Sequence, residues 1–306
     1  MSRENTTGAQ NSPGQNPTLA YLALAAAILC IGWSAIFVRW TDVPGTVSAF
    51  YRMLIPAAIL VPSYFFGPKV TPLTRRSVSI VALGGIFFAL DLALYNSSIL
   101  LTTAANATLL GNNSPIFVGL LTWMVFRRRP QAVFWFGLLM AVGGSLIILR
   151  SDLLRHTQFG LGDAMSVGAA AFFAMYLLAT EEVRTTTGTI QFLRLAMISA
   201  TVALFLINIA LGHSFQVTNT RTWPALFGLG LVSQLGGYLA LTYALGHLPA
   251  TITSISLLAQ GPLTALLAAV FLHEPLSAAQ IAGGLLVLGG VGVAHRQTHP
   301  EEEANV

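Results

Sequence analysis

The chain has 306 residues, 55% of them hydrophobic and only 8% charged, whereas a soluble domain carries about a quarter charged residues; no soluble fold could hide that much apolar surface. A membrane-spanning helix takes about 20 apolar residues, so the length fits about ten spans with short connections and no soluble appendage. A sequence pI of about 9.6 would suggest nucleic acid in a soluble protein, but the 15 Lys and Arg sit mainly between apolar runs, where they report topology and give no support for nucleic-acid binding.

Residues 1–17 are polar and rich in Gly, Asn and Pro, as expected of a disordered tail. The first apolar run has no basic region beside it and no evident cleavage site, so it reads as a retained helix and not a signal peptide. Apolar stretches of spanning length follow at 18–40, 46–66, 77–97, 103–126, 131–150, 160–180, 189–212, 223–245, 250–272 and 277–294. Helices are the open-ended element that satisfies its own backbone in lipid, so the predicted fold is an all-α polytopic membrane protein of ten transmembrane helices, closed by a short tail at 297–306. Pro44-Gly45, Gly67-Pro68, Arg127-Arg128-Arg129-Pro130, Pro249 and His273-Glu274-Pro275 mark turns between spans. Cys30 is the only cysteine, which excludes a disulfide within the chain.

With the N-terminus in the cytoplasm, the inside connections hold Arg3, Lys69, Arg75, Arg76, Arg127, Arg128, Arg129, Arg184, Arg194 and Arg296. The outside set is Arg39, Arg52, Arg150, Arg155 and Arg221. Ten against five favours both termini in the cytoplasm. The sequence also repeats itself. Val-Phe-Arg-Arg-Arg-Pro at 125–130 resembles Val-Phe-Leu-His-Glu-Pro at 270–275, each after a helix containing a proline, Pro115 or Pro262, and each before a span with a Gly-Gly pair, Gly143-Gly144 or Gly289-Gly290. The copies cover residues 18–150 and 160–296, five helices each, and an odd number makes the second copy cross the membrane in the opposite sense.

Ala250, Pro262, Glu274-Pro275, Gly283 and Gly289-Gly290 resemble the drug/metabolite transporter superfamily, EamA type, in their order of small residue, mid-helix proline, Glu turn and Gly-rich last helix. The likeness covers nearly all of 18–296, although Arg129 stands where the first copy would carry the Glu. Within that superfamily the chain is similar to YddG-like exporters, a resemblance that implies export of aromatic and other neutral amino acids across the bacterial inner membrane.

Asp91 is the only acid well inside a predicted span. A carboxylate there is costly and normally faces a cavity or a partner, and Tyr95 lies one turn on along the same face. The pair could bind a substrate amine or carry a coupling proton, or Asp91 could be a hydrogen-bonded packing residue. Span 8 aligns Gln234, Tyr238 and Thr242, and span 9 aligns Thr253, Ser256, Gln260 and Thr264; we read Gln234, Tyr238 and Gln260 as cavity lining and the small hydroxyls as contacts between helices. Span 4 carries Asn106, Asn112, Asn113 and Ser114 ahead of Pro115. Pro115 cannot donate to the carbonyl of Gly111, nor Pro262 to that of Leu258, so both prolines are expected hinges, and paired interruptions of this kind point to a binding site. Trp33 and Tyr176 occupy the corresponding opening helices of the two repeats and are added as substrate contacts, although aromatic stripes more often pack helices. The Gly-Gly pairs are read as close helix contacts in peripheral spans 5 and 10.

No spacing of His or Cys suits a metal, no Gly loop suits a phosphate, and no nucleophile and base lie inside the spans. Neither a cofactor nor an enzyme is expected. The reading is a secondary transporter of small amino acids or metabolites, as monomer or dimer in the lipid bilayer. A multidrug or cationic-metabolite exporter is the alternative. A phosphorylated-sugar or nucleotide-sugar carrier ranks lower because so few Lys or Arg come near the spans.

Overall fold

A computed structural model describes residues 17–62, 73–101, 110–125, 127, 129–148, 160–271 and 276–295. The described residues form helices and connections, with no strand among them. In chain order the helices are α1 (Pro17–Gly32), α2 (Ser34–Trp40), α3 (Gly45–Leu60), α4 (Arg75–Leu101), α5 (Ser114–Met124), α6 (Ala132–Ile148), α7 (Leu161–Arg184), α8 (Thr189–Ala210), α9 (Thr222–Phe227), a π-helix (Gly228–Gly236), α10 (Gly237–Leu245), α11 (Ala250–Leu257), α12 (Gln260–Phe271) and α13 (Ala278–His295). Seven helical runs among the described residues are long and apolar enough to cross a membrane, and α3, α5 and α6 are shorter apolar helices. Each falls on one of the apolar stretches of the sequence. The two tails, Lys69, Asn106, Arg150, Arg155 and Glu274 lie outside the described residues.

Apolar side chains point outward here. Leu139 of α6 and Leu285 of α13 are 72% and 67% exposed, as suits helices whose outer faces meet lipid instead of water. Since lipid is as apolar as leucine, helices must hold together by close contact. α6 and α13 run together along their length. A Cβ on Gly144 would meet Gly283 O at 2.5 Å, and one on Gly290 would meet Gly137 O at 2.5 Å. The earlier residue of one helix therefore faces the later residue of the other, which makes the pair antiparallel. The seam uses Gly137, Gly144, Gly283 and Gly290, seven apart on each helix, whereas Gly143 and Gly289 have their nearest foreign atoms at 4.0 and 3.6 Å. At the α4–α8 crossing, a Cβ on Gly85 would collide with Ser199 Oγ and Ala196 O.

Contacts elsewhere recur in corresponding pairs. α1 packs on α10 as α7 packs on α4, and α3 packs on the π-helix as α8 packs on α4. Two polar clusters pin the ends of this bundle. Thr46 Oγ1 lies 2.8 Å from both Asn208 Oδ1 and His213 Nδ1, and Asn208 Nδ2 donates to Thr46 O at 3.0 Å. Arg184 Nε donates to Thr242 O at 2.9 Å, with Nη1 on Thr187 O.

Two arginines lie elsewhere than expected. Arg194 is within α8, and Arg52, assigned to an outside connection, is in the middle of α3. Arg52 is buried, 9% exposed. A guanidinium at that depth is costly, and its hydrogen bonds explain how it is accommodated.

Candidate functional site

Arg52 Nε donates to Gln234 Oε1 at 2.8 Å and Nη1 to Ser34 Oγ at 3.0 Å. Its guanidinium carbon lies 5.8 Å from the centroid of the Tyr238 ring, within cation–π range. One side chain thus joins α2, α3, the π-helix and α10. The ring of Tyr238 is 4.8 Å from Phe88, and Phe88 is 4.6 Å from Tyr176, where the two rings stack. Tyr176 and Tyr238 are 6.1 Å apart, centroid to centroid. Both tyrosines and Gln234 are buried. Asp91 follows Phe88 by three residues on α4, on the same face; it is within Coulombic reach of Arg52 and Tyr238 and is half-buried.

The backbone is irregular around this group. α1 stops at Gly32 and α2 restarts at Ser34, with Trp33 between them; Thr264 Oγ1 of α12 donates to the Gly32 carbonyl at 3.1 Å, filling the break. Gln234 sits in the π-helix, a wider turn that is rare and often found at functional sites. This stretch includes Gly228, Gly230 and Gly236, followed by Gly237, and Cβ atoms on Gly228, Gly230 and Gly237 would press on Phe37, Ile55 and Ile31. Its glycines therefore let the π-helix lie directly against α1, α2 and α3.

Both prolines begin helices instead of bending them. Pro115 is in the first turn of α5, just after a turn at Asn112 and Asn113, and Pro262 is in the first turn of α12, just after a turn at Leu258 and Ala259. The first turn is where a missing N–H costs least. The carbonyl of Leu258, expected to be free, accepts from Gly261 N at 3.1 Å: the chain tightens there, so the interruption is a break in the helix and not a kink with an open acceptor.

Four of the residues singled out in the sequence come together: Asp91, Tyr176, Gln234 and Tyr238. Trp33 stands beside Ser34 in the chain, but its ring packs on Phe37 and Phe271 at 5.8 and 4.7 Å. Tyr95 lies over Gly111, whose Cβ would come 2.9 Å from Tyr95 Cδ2. Asn112 is exposed in the turn before α5, and Gln260 is the half-buried first residue of α12. The hydroxyl of Ser256 bonds within its own helix, to Ile252 O at 2.7 Å, and meets His295 Nε2 at 2.6 Å. Arg52, Ser34 and Phe88 were missed. For Arg52 the signal was available, since it lies six residues inside an apolar run. Among the described residues no cluster of His, Cys, Asp or Glu could hold a metal.

Comparison with known proteins gives this arrangement a family. The EamA-like transporter family matches residues 18–150 and 160–295. The pseudopaline exporter CntI of Pseudomonas aeruginosa is 30% identical over 219 residues, 71% of this chain and 74% of that one. A probable terminal-alkyne amino-acid exporter of Streptantibioticus cattleyicolor is 25% identical over 195 residues, 64% of this chain and 65% of that one. A solved crystal structure superposes with a TM-score of 0.77 at 20% identity, over 90% of this chain and 96% of that one, a likeness of fold alone. The chain belongs to the EamA-like transporter family and is a multi-span membrane transporter, not an enzyme.

Proposed function

We propose that the protein exports neutral amino acids, aromatic and other hydrophobic ones first, or similar small metabolites, out of the bacterial cytoplasm by alternating access. The observation that carries the proposal is the meeting of Arg52 and Asp91 with the rings of Phe88, Tyr176 and Tyr238, side chains drawn from both family-matched segments, where several helices are interrupted. Interrupted helices of this kind mark the substrate sites of repeat-built transporters. A relative named as an amino-acid exporter supports the same substrate class.

Ten spans in two inverted five-helix halves, with both termini in the cytoplasm, is the topology this reading uses. The seven long runs and three shorter apolar helices support the number. The antiparallel α6–α13 contact supports the inversion, because helices related by a two-fold axis along the membrane normal would run parallel. With Arg52 and Arg194 removed from the connections, nine basic residues remain on the cytoplasmic side and four outside, which supports the orientation.

Counterflow of labelled phenylalanine into liposomes holding purified protein, with and without a pH gradient, tests the proposal, and wild type should exchange it. If Asp91 binds the amine, Asp91→Asn loses affinity and the wild type ignores the gradient. If Asp91 carries a coupling proton, the wild type responds to the gradient and the variant does not. Full activity of the variant under both conditions would remove Asp91 from the transport path, and absence of amino-acid exchange by wild type would refute the function.

A further inference from the structure

Arg52 and Asp91 are close enough for their charges to interact, yet among the described residues no ion pair joins them and no hydrogen bond reaches the Asp91 carboxylate. Both hydrogen bonds of Arg52 go to neutral acceptors, the amide oxygen of Gln234 and the hydroxyl of Ser34, through Nε and Nη1. Those bonds fix the plane of the guanidinium and use two of its five N–H groups, which leaves one on Nη1 and two on Nη2 for a further acceptor. A positive and a negative side chain are thus held near each other without a bond between them. The stacked rings of Phe88 and Tyr176, with Tyr238 beside them, are the apolar groups next to this pair.

Building on the exporter reading, we infer that Arg52 is the residue that binds the substrate carboxylate, and that the transported molecules are net-neutral zwitterions with a free carboxylate. Guanidinium suits this task because its fixed fork matches carboxylate geometry. The ammonium group of the same substrate then lies toward Asp91 and its side chain toward the rings. The formal charges of Arg52 and an ionised Asp91 cancel, so a zwitterion leaves the site neutral. An organic cation would instead be repelled by Arg52, and a phosphate dianion would bring two negative charges to a single arginine already opposed by Asp91; an unbalanced charge is costly away from water. A purely structural Arg52 would be an expensive way to join Ser34 to Gln234, since both are neutral and a neutral side chain could bridge them.

The experiment is competition against labelled phenylalanine in counterflow, using purified full-length protein in liposomes. The competitors are unlabelled phenylalanine, phenylalaninamide, which lacks the carboxylate, 3-phenylpropionate, which lacks the ammonium, glucose 6-phosphate and tetraphenylphosphonium. Wild type should prefer phenylalanine over each of the others by about tenfold or more, the worth of one charged hydrogen-bonding partner. Arg52→Gln should abolish the preference over phenylalaninamide, while Arg52→Lys, which keeps the charge without the fork, should retain part of it. Should the glutamine variant fail to fold, the wild-type panel and the lysine variant still decide. A wild type that exchanges phenylalanine but accepts the amide equally well, or an Arg52→Gln variant with an unchanged amide-to-acid ratio, overturns this inference and leaves the exporter reading standing. A wild type that exchanges no amino acid defeats the exporter reading itself.

Discussion

Around Arg52 the helices are broken and polar, whereas along the α6–α13 seam they are continuous and almost wholly apolar. In the first region Trp33 interrupts one span, the π-helix carries Gln234, and a turn precedes Pro262 in α12, which meets the break at Gly32. In the second, two regular helices touch backbone to backbone at four glycines. The difference separates two ways of using a residue without bulk. In the seam glycine buys nearness between two backbones, which lipid cannot drive by hydrophobic force; in and just after the π-helix it makes room for the side chains of Phe37, Ile55 and Ile31 on the neighbouring helices.

Substitutions can break or sharpen that contrast. The largest effect is expected for Gly144→Leu, because even a Cβ would meet Gly283 O at 2.5 Å and Val287 N at 2.7 Å, atoms of a backbone that cannot swing aside. Thermal unfolding in detergent should show a loss of about 3 kcal/mol or more, while Gly289→Leu, on an exposed position of the partner helix, should stay within about 1 kcal/mol. Equal behaviour of the two would mean that the seam is not what holds the periphery together. Next comes Asp91→Asn, expected to lower phenylalanine exchange by about tenfold with little change in melting temperature. A variant that melts early and transports normally once folded would place Asp91 with the scaffold. Thr264→Val removes the donor to the Gly32 carbonyl and should cost about 1 kcal/mol, read by the same unfolding measurement; no change would show that water serves the break equally well. The smallest effect is expected for Arg76→Ala. Its pair with Glu182, at 3.2 Å, is 80% and 41% exposed, and such pairs contribute at most about 1 kcal/mol, so a drop of about 2 kcal/mol would reveal a role that the exposed geometry does not explain.

Much of the architecture was legible in the sequence because bilayer thickness sets the length of an apolar run. Asp91 stood out as the one acid well inside a predicted span, Gln234 and Tyr238 through a polar stripe at helical spacing, and Tyr176 through its place in the opening helix of the second repeat. Arg52 was misplaced because basic residues are normally read as markers of connections, and Pro44-Gly45 nearby invited that assignment. The break at Trp33 and the π-helix leave no such mark. Neither contains proline, and both depend on what the neighbouring helices supply, Thr264 in one case and the close faces of α1 and α3 in the other. The seam glycines were legible in principle through their spacing of seven, but adjacent Gly-Gly pairs drew attention to Gly143 and Gly289, which turn away from it.

The unbonded closeness of Arg52 and Asp91 has an electrical consequence. Moving one elementary charge across 100 mV involves about 2.3 kcal/mol. With Asp91 ionised, the empty site and the site holding a zwitterion are both neutral, so a membrane potential does no work on either half of the cycle and transport passes no current. With Asp91 protonated, the uncompensated charge of Arg52 moves relative to the field whenever access switches from one side to the other. Charge displacement recorded on a supported membrane after a substrate jump would therefore read out the protonation of a single carboxyl group during turnover.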